Sequence, residues 1–205
     1  MSIFSDSVVV GRRVAHRVNN LMWERRLSID TRGWIKVHYP DAGHYATMNY
    51  ALVHKVLRHL KLRPDDVFVD IGSGKGRILC CAARFPIAKV IGVDLSTEFC
   101  DEAKANAARS RGQRAPIEVH NMLADEFDYT DCSAYYMFSP FGPETVGKVL
   151  TKIRKDRDGK AIRIAYANPA YPEAFAEQPW LERYDFWDAA ARGEEHSVAF
   201  YRDRA

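Results

Sequence analysis

Val67-Phe68-Val69-Asp70-Ile71-Gly72-Ser73-Gly74-Lys75-Gly76-Arg77 opens on an apolar, β-branched run and breaks into three alternate glycines. Val67 to Ile71 reads as a buried strand, and Arg77 to Ala83 beyond the glycines reads as a helix. Glycines at a strand-to-helix turn let the backbone approach a ligand closely and adopt angles that a Cβ forbids. The helix N-terminus that follows offers free N–H groups to an anion. A second strand, Lys89 to Asp94, ends on a carboxylate eighteen residues beyond Gly76. An acidic residue at the tip of the neighbouring strand is placed to accept both hydroxyls of a ribose. Together these residues describe a site for a nucleoside that also carries an anionic group.

Spacing narrows the nucleoside. A dinucleotide site wants G-x-G-x-x-G, whereas Gly72-x-Gly74-x-Gly76 is one residue short and Asp70 stands two residues before the first glycine. A P-loop wants G-x-x-x-x-G-K-[ST], but here Gly74-Lys75 runs into Gly76 and has no glycine at the upstream position. The D-x-G-x-G-x-G form resembles motif I of the Rossmann-like (class I) S-adenosylmethionine (SAM) dependent methyltransferases, and Val90 to Asp94 resembles their ribose-binding strand end. The resemblance implies that the loop of Gly72, Ser73, Gly74 and Gly76, with Arg77, curls around the methionine part of SAM. Asp70 would then sit near its amino group.

At 205 residues and 47% hydrophobic content the chain can bury a full α/β core. No apolar run approaches a membrane span, and the N-terminus lacks a hydrophobic signal core. Cys80, Cys81, Cys100 and Cys132 have no metal-ligand spacing and read as core residues in a reducing compartment. A cytoplasmic protein is expected. The net charge of +3 does not by itself argue for nucleic acid.

Along the chain, a basic leader precedes an alternating βα series. Ser7 to Arg26 mixes valines with Arg12, Arg13, Arg17, Arg25 and Arg26 and reads as an amphipathic helix, ending in a turn at Ser28 to Gly33. Apolar residues at helical spacing predict a helix over Asn49 to Leu60. Thr97 to Ser110 reads as a helix capped by Thr97, with acids in its first turn. Further strands are expected at Ile117–His120, Ala134–Phe138 and Ala161–Ala167, with a helix at Pro143–Arg154. A final antiparallel pair is expected at Trp180–Trp187 and His196–Tyr201. This predicts a doubly wound, mostly parallel seven-stranded sheet with an antiparallel final strand. A helical extension or cap is expected over 1–48 and the SAM domain over 49–205.

Ligands in such sheets lie beyond the carboxyl ends of the strands, so the strand tips supply the candidates. Leu95 stands beside Asp94. Asn121 and Met122 end the third strand, where many SAM methyltransferases carry an acid that meets the adenine amino group. Asn121 either makes that bond through its side-chain carbonyl or closes a turn. Ser139-Pro140-Phe141 after the fourth strand loosely resembles the [DNS]-P-P-[YFW] loop of amino-methylating enzymes, with one proline missing. Either it forms the acceptor pocket, an aromatic ring gaining cation–π attraction to a sulfonium, or it is an ordinary turn. Tyr45 and Thr47 either fold over the cofactor or cap the helix that follows.

The stretch from Trp23 to Thr31, with Tyr45, Thr47 and Ala167 to Ala170, resembles a group of small bacterial SAM methyltransferases. That group is distantly similar to non-SET lysine methyltransferases of the histone and mitochondrial type. The resemblance implies methyl transfer to an amine nitrogen of a protein lysine or a small molecule, with RNA third. Catalytic candidates are Ser139, Phe141 and Tyr45; Ser139, Tyr45 and His120 are the candidate proton acceptors. The competing class is a SAM-fold module that binds without catalysis, whose mark would be a damaged glycine motif or a missing ribose acid. The histidines are too irregularly placed for a metal site.

Overall fold

The computed structural model describes residues 3–33, 46–157 and 159–204, with residues 3–13 as backbone. In chain order the elements are α1 (Ile3–Leu27), α2 (Tyr50–His59), β1 (Val67–Ile71), α3 (Arg77–Ala82), β2 (Lys89–Asp94), α4 (Thr97–Arg109) and β3 (Ile117–Asn121). They continue as β4 (Ala134–Phe138), α5 (Pro143–Arg157), β5 (Arg163–Ala167), α6 (Pro172–Ala176), β6 (Leu181–Trp187), α7 (Ala189–Arg192) and β7 (Val198–Asp203). The sheet runs β3-β2-β1-β4-β5-β7-β6. β1 to β5 are parallel, and β7 is antiparallel to both β5 and β6. Strand order reverses between β1 and β4, the switch point at which an open α/β sheet forms its ligand crevice.

The inner strands are buried on both faces, which is why they appear in sequence as unbroken apolar runs. Alternation divides their side chains between two cores. Phe68, Tyr136, Ala165 and Phe200 face α2 and α3, while Val69, Tyr135, Met137 and Ile164 face α5 and α6. Leu27, Ile29 and Met48 belong to the first of these cores, so the chain ahead of α2 shares the domain's interior. All four cysteines are free and buried.

Several local expectations shift: β5 begins at Arg163 and β7 at Val198, which leaves His196, expected within the final strand, just ahead of it. The cap of α4 is Ser96 rather than Thr97: Ser96 has the extended backbone, and its hydroxyl accepts from the Phe99 N–H at 3.3 Å. The short helices α6 and α7, of five and four residues, carry too little periodicity to be seen in sequence. No described helix is long and apolar enough to cross a membrane.

Candidate active site

At the carboxyl end of the sheet, where β1 and β4 part, a cleft is lined by Asp70, Gly72 and Ser73 from the β1 tip and by Tyr136 and Phe138 from β4. Ala46 and Thr47, on the approach to α2, form its outer wall, and Ile78 and Arg77 of α3 its floor. Asp70 lies in register with Tyr136, is 2% exposed, and its Oδ2 is buried with no hydrogen-bond partner among the described residues. Burial, then the charge of Asp94, pushes its carboxyl well above the ordinary carboxylate range. A buried carboxyl without a partner is costly. A cationic group entering the cleft would supply that partner and restore the charge. The Ser73 hydroxyl, also buried and unpartnered, offers a second polar contact.

Asp94 holds the next part of the loop. Its Oδ2 accepts from the Gly74 N–H at 2.8 Å and its Oδ1 from the Ser96 N–H at 2.9 Å. Burial raises its carboxyl pKa against the pull of these backbone donors. Each oxygen keeps a lone pair for a further donor such as a hydroxyl. Gly72 has φ +77°, and a Cβ there would lie 2.5 Å from Cβ of Pro140; this glycine brings the β1 loop against the β4 loop. Gly76 caps α3 at φ +81°, where a Cβ would meet Ala103 of α4 at 3.2 Å. Its role is therefore helix packing behind the loop.

Other candidates have different engagements. Arg77 borders the cleft, but its guanidinium turns away into a buried network: Nε donates to Thr31 Oγ1 (2.8 Å), Nη1 to the Met48 carbonyl (2.8 Å) and Nη2 to Glu24 Oε1 (3.1 Å). Its face lies 4.5 Å from the Tyr50 ring centroid. Arg77 thus clamps the end of α1 and the chain before α2 onto the glycine loop. Asn121 closes the turn: its Nδ2 donates to the carbonyls of Asp94 (3.1 Å) and Leu95 (2.8 Å), and its Oδ1 accepts from Thr97 Oγ1 (2.8 Å). Leu95 is exposed beside Asp94. Met122 and Phe141 pack against the core on the opposite face of the sheet.

Ser139 has φ +38°, and its hydroxyl donates to the Asn168 carbonyl while accepting from the Ala170 N–H at 3.2 Å. With the Tyr166 hydroxyl also at 3.3 Å, it braces the tips of β4 and β5, and its one proton and two lone pairs are already engaged. His120 stands on β3 beyond β2, beside Glu118 and against the edge of Phe127, remote from the cleft. Thr47 lines the cleft, while the cap of α2 is Asn49; Tyr45 lies outside the described residues. The sequence reading missed Tyr136 and Phe138, although strand alternation puts them on the face of Asp70. It also missed His196, whose ring meets Phe138 edge-on at 4.8 Å.

Comparison with known proteins agrees with this geometry. Residues 39–116 match the family "Histone methylation protein DOT1". A protein-lysine N-methyltransferase of Saccharolobus islandicus is 34% identical over 89 residues, covering 42% of this chain and 54% of that protein. A histone-lysine N-methyltransferase of Drosophila melanogaster is 37% identical over 51 residues, 24% of this chain and 3% of that protein. The chain thus matches about half the length of the first relative and a small part of the second. Among solved structures, an RNA methyltransferase from Salinibacter ruber in complex with S-adenosylhomocysteine superposes with a TM-score of 0.61 at 16% identity, over 77% of this chain and 94% of that one. The chain has the fold and the cofactor motif of the Rossmann-like, class I SAM-dependent methyltransferases.

Proposed function

We propose that this chain is a SAM-dependent methyltransferase whose acceptor is an amine nitrogen, in the first place that of a protein lysine. The observation that carries the cofactor assignment is the unpartnered, buried Asp70 carboxyl at the head of an intact D-x-G-x-G-x-G loop. The SAM α-ammonium is the partner it lacks. Asp94, already fixed by two backbone N–H groups, would accept from the ribose hydroxyls, and Leu95 would cover the base beside it. The amine assignment rests on the similarity to lysine methyltransferases across the cofactor-binding half.

SAM supplies a methyl group already activated by its sulfonium charge. The protein's part is then to align the acceptor and exclude water. Tyr136 and Phe138 give the cleft an aromatic wall that favours a cation beside it. The glycine motif and the ribose acid are both intact, which speaks against a module that only binds.

Incubating the full chain with tritiated SAM and a lysate of its host, separated into protein, RNA and small-molecule fractions, tests the reading. Label in protein that resists base hydrolysis and yields methyl-lysine is expected. Label confined to RNA or to small molecules would overturn the amine assignment. Calorimetry with no S-adenosylhomocysteine binding would overturn the cofactor assignment.

A further inference from the structure

We propose, resting on the amine reading above, that His196 is the group that takes the proton from the acceptor amine. β7 runs antiparallel to β5, so the chain enters it at the carboxyl edge of the parallel strands, and His196 sits just before that entry. On the face shared with Asp70 and Tyr136, β5 presents Arg163 at its far end and, toward the carboxyl edge, only Ala165 and Ala167. Nothing bulky therefore separates the His196 ring from Phe138 on β4, which it meets edge-on at 4.8 Å. Phe138 is itself part of the cleft wall, so the imidazole stands directly behind that wall, one ring away from the cleft.

The loop carrying His196 is held in place. Glu195 pairs with His16 of α1 at 2.9 Å and accepts from Asn49 Nδ2 at 3.3 Å, and Asn49 caps α2 directly after the cleft-lining chain. His196 is half-buried, and its ring nitrogens have no hydrogen bond among the described residues. The titratable groups facing it are Glu195 beside it and His16 behind Glu195. Burial lowers the His196 pKa, and the negative charge of Glu195 opposes that shift without cancelling it. At neutral pH the ring is therefore neutral and able to accept.

The alternatives around the cleft are engaged. The Tyr136 hydroxyl is buried against Met48 Sδ at 3.3 Å, with its pKa pushed far up by burial. Ser139 braces two loops, and Asp70 answers the cofactor's ammonium. An acceptor ammonium against the apolar wall and a sulfonium is pushed toward its neutral form, which narrows the gap to a weakly basic imidazole. The ammonium passes one proton to His196. The lone pair left on nitrogen forms the N–C bond as the C–S bond breaks, its electron pair staying on sulfur, and His196 then releases the proton to water.

The test uses the full-length wild type, His196→Asn and His196→Ala. Ring resonances of labelled histidine should show His196 titrating below about 6.5, the ordinary value, a readout that needs no turnover. With the host protein fraction as acceptor, His196→Asn should lose on the order of 100-fold in transfer at pH 7. That gap should close above about pH 10, where a lysine amine deprotonates unaided. Added imidazole should restore part of the activity of His196→Ala, and S-adenosylhomocysteine affinity should stay within about two-fold. Wild-type transfer to protein matched by His196→Asn at every pH, a loss that neither alkali nor imidazole reverses, or a ring titrating above the ordinary value would each overturn the proposal. A wild type that labels only RNA or small molecules defeats the amine reading and this inference with it.

Discussion

Replacing Glu24 by alanine removes the anion from a buried polar cluster that ties α1 to α3. Glu24 is 4% exposed and accepts from Thr31 N (3.0 Å), Thr31 Oγ1 (2.6 Å), Tyr50 Oη (3.0 Å) and Arg77 Nη2 (3.1 Å). Without it the Arg77 guanidinium, 5% exposed, keeps only neutral acceptors and the Tyr50 ring. Breaking a buried pair from one side costs about 3–5 kcal/mol, because the remaining charge stays buried and uncompensated. The cation–π contact with Tyr50, worth about 0.5–2 kcal/mol, is present in both proteins and cannot offset this. Against a total stability of about 5–15 kcal/mol the loss is large, and at roughly 2–4 °C per kcal/mol for a chain of this size it lowers Tm by about 6–20 °C. Urea unfolding followed by circular dichroism reads it as a lower midpoint at unchanged slope. If the slope falls and limited proteolysis cuts near Leu27 first, α1 undocks as a separate unit before the sheet unfolds. Glu24→Leu combined with Arg77→Met should recover much of the loss, since two apolar side chains leave no stranded charge. A Glu24→Ala cost below about 1 kcal/mol would refute this reasoning, because it would mean that water reaches the pair.

Three further outcomes follow from the site. The Asp70 carboxyl has its pKa raised in the folded chain by burial, so without ligand the native state holds that proton more tightly than the unfolded chain. Stability then falls as pH rises from the ordinary carboxylate value toward the raised one. Asp70→Asn should therefore raise Tm at neutral pH but not at pH 3, while weakening S-adenosylhomocysteine binding; equal Tm values at both pH values would refute it. Asp94→Ala removes a carboxylate whose charge-assisted bonds are worth roughly 1.5–3 kcal/mol each, and calorimetry should find S-adenosylhomocysteine bound at least about tenfold more weakly by a folded protein. Gly72→Ala places a Cβ 2.5 Å from Pro140 at a φ of +77° and should destabilise by about 1–3 kcal/mol, measured by thermal unfolding, with loss of cofactor binding.

The sheet and the glycine loop between β1 and α3 were legible in the sequence because their signals are local. β1 and β2 are buried on both faces, so each is one short apolar run, and the glycine spacing with Asp70 and Asp94 lies within a single βαβ unit. What each polar side chain does with its hydrogen bonds was not legible. Arg77 beside the glycines looks like a cofactor contact until Glu24, 53 residues earlier, is brought to it. Asn121 looks free to read a base until the Leu95 carbonyl, 26 residues away, takes its amide. Ser139 resembles an acceptor-binding residue until the carbonyl of Asn168 claims its proton. His196 carries no motif and reaches Phe138 only because the last strand runs backwards and β5 offers alanines beneath it. Periodicity and turn chemistry act over a few residues and determine the elements. A buried donor must find an acceptor wherever the packing of those elements puts one, and only the tertiary structure decides which residue that is.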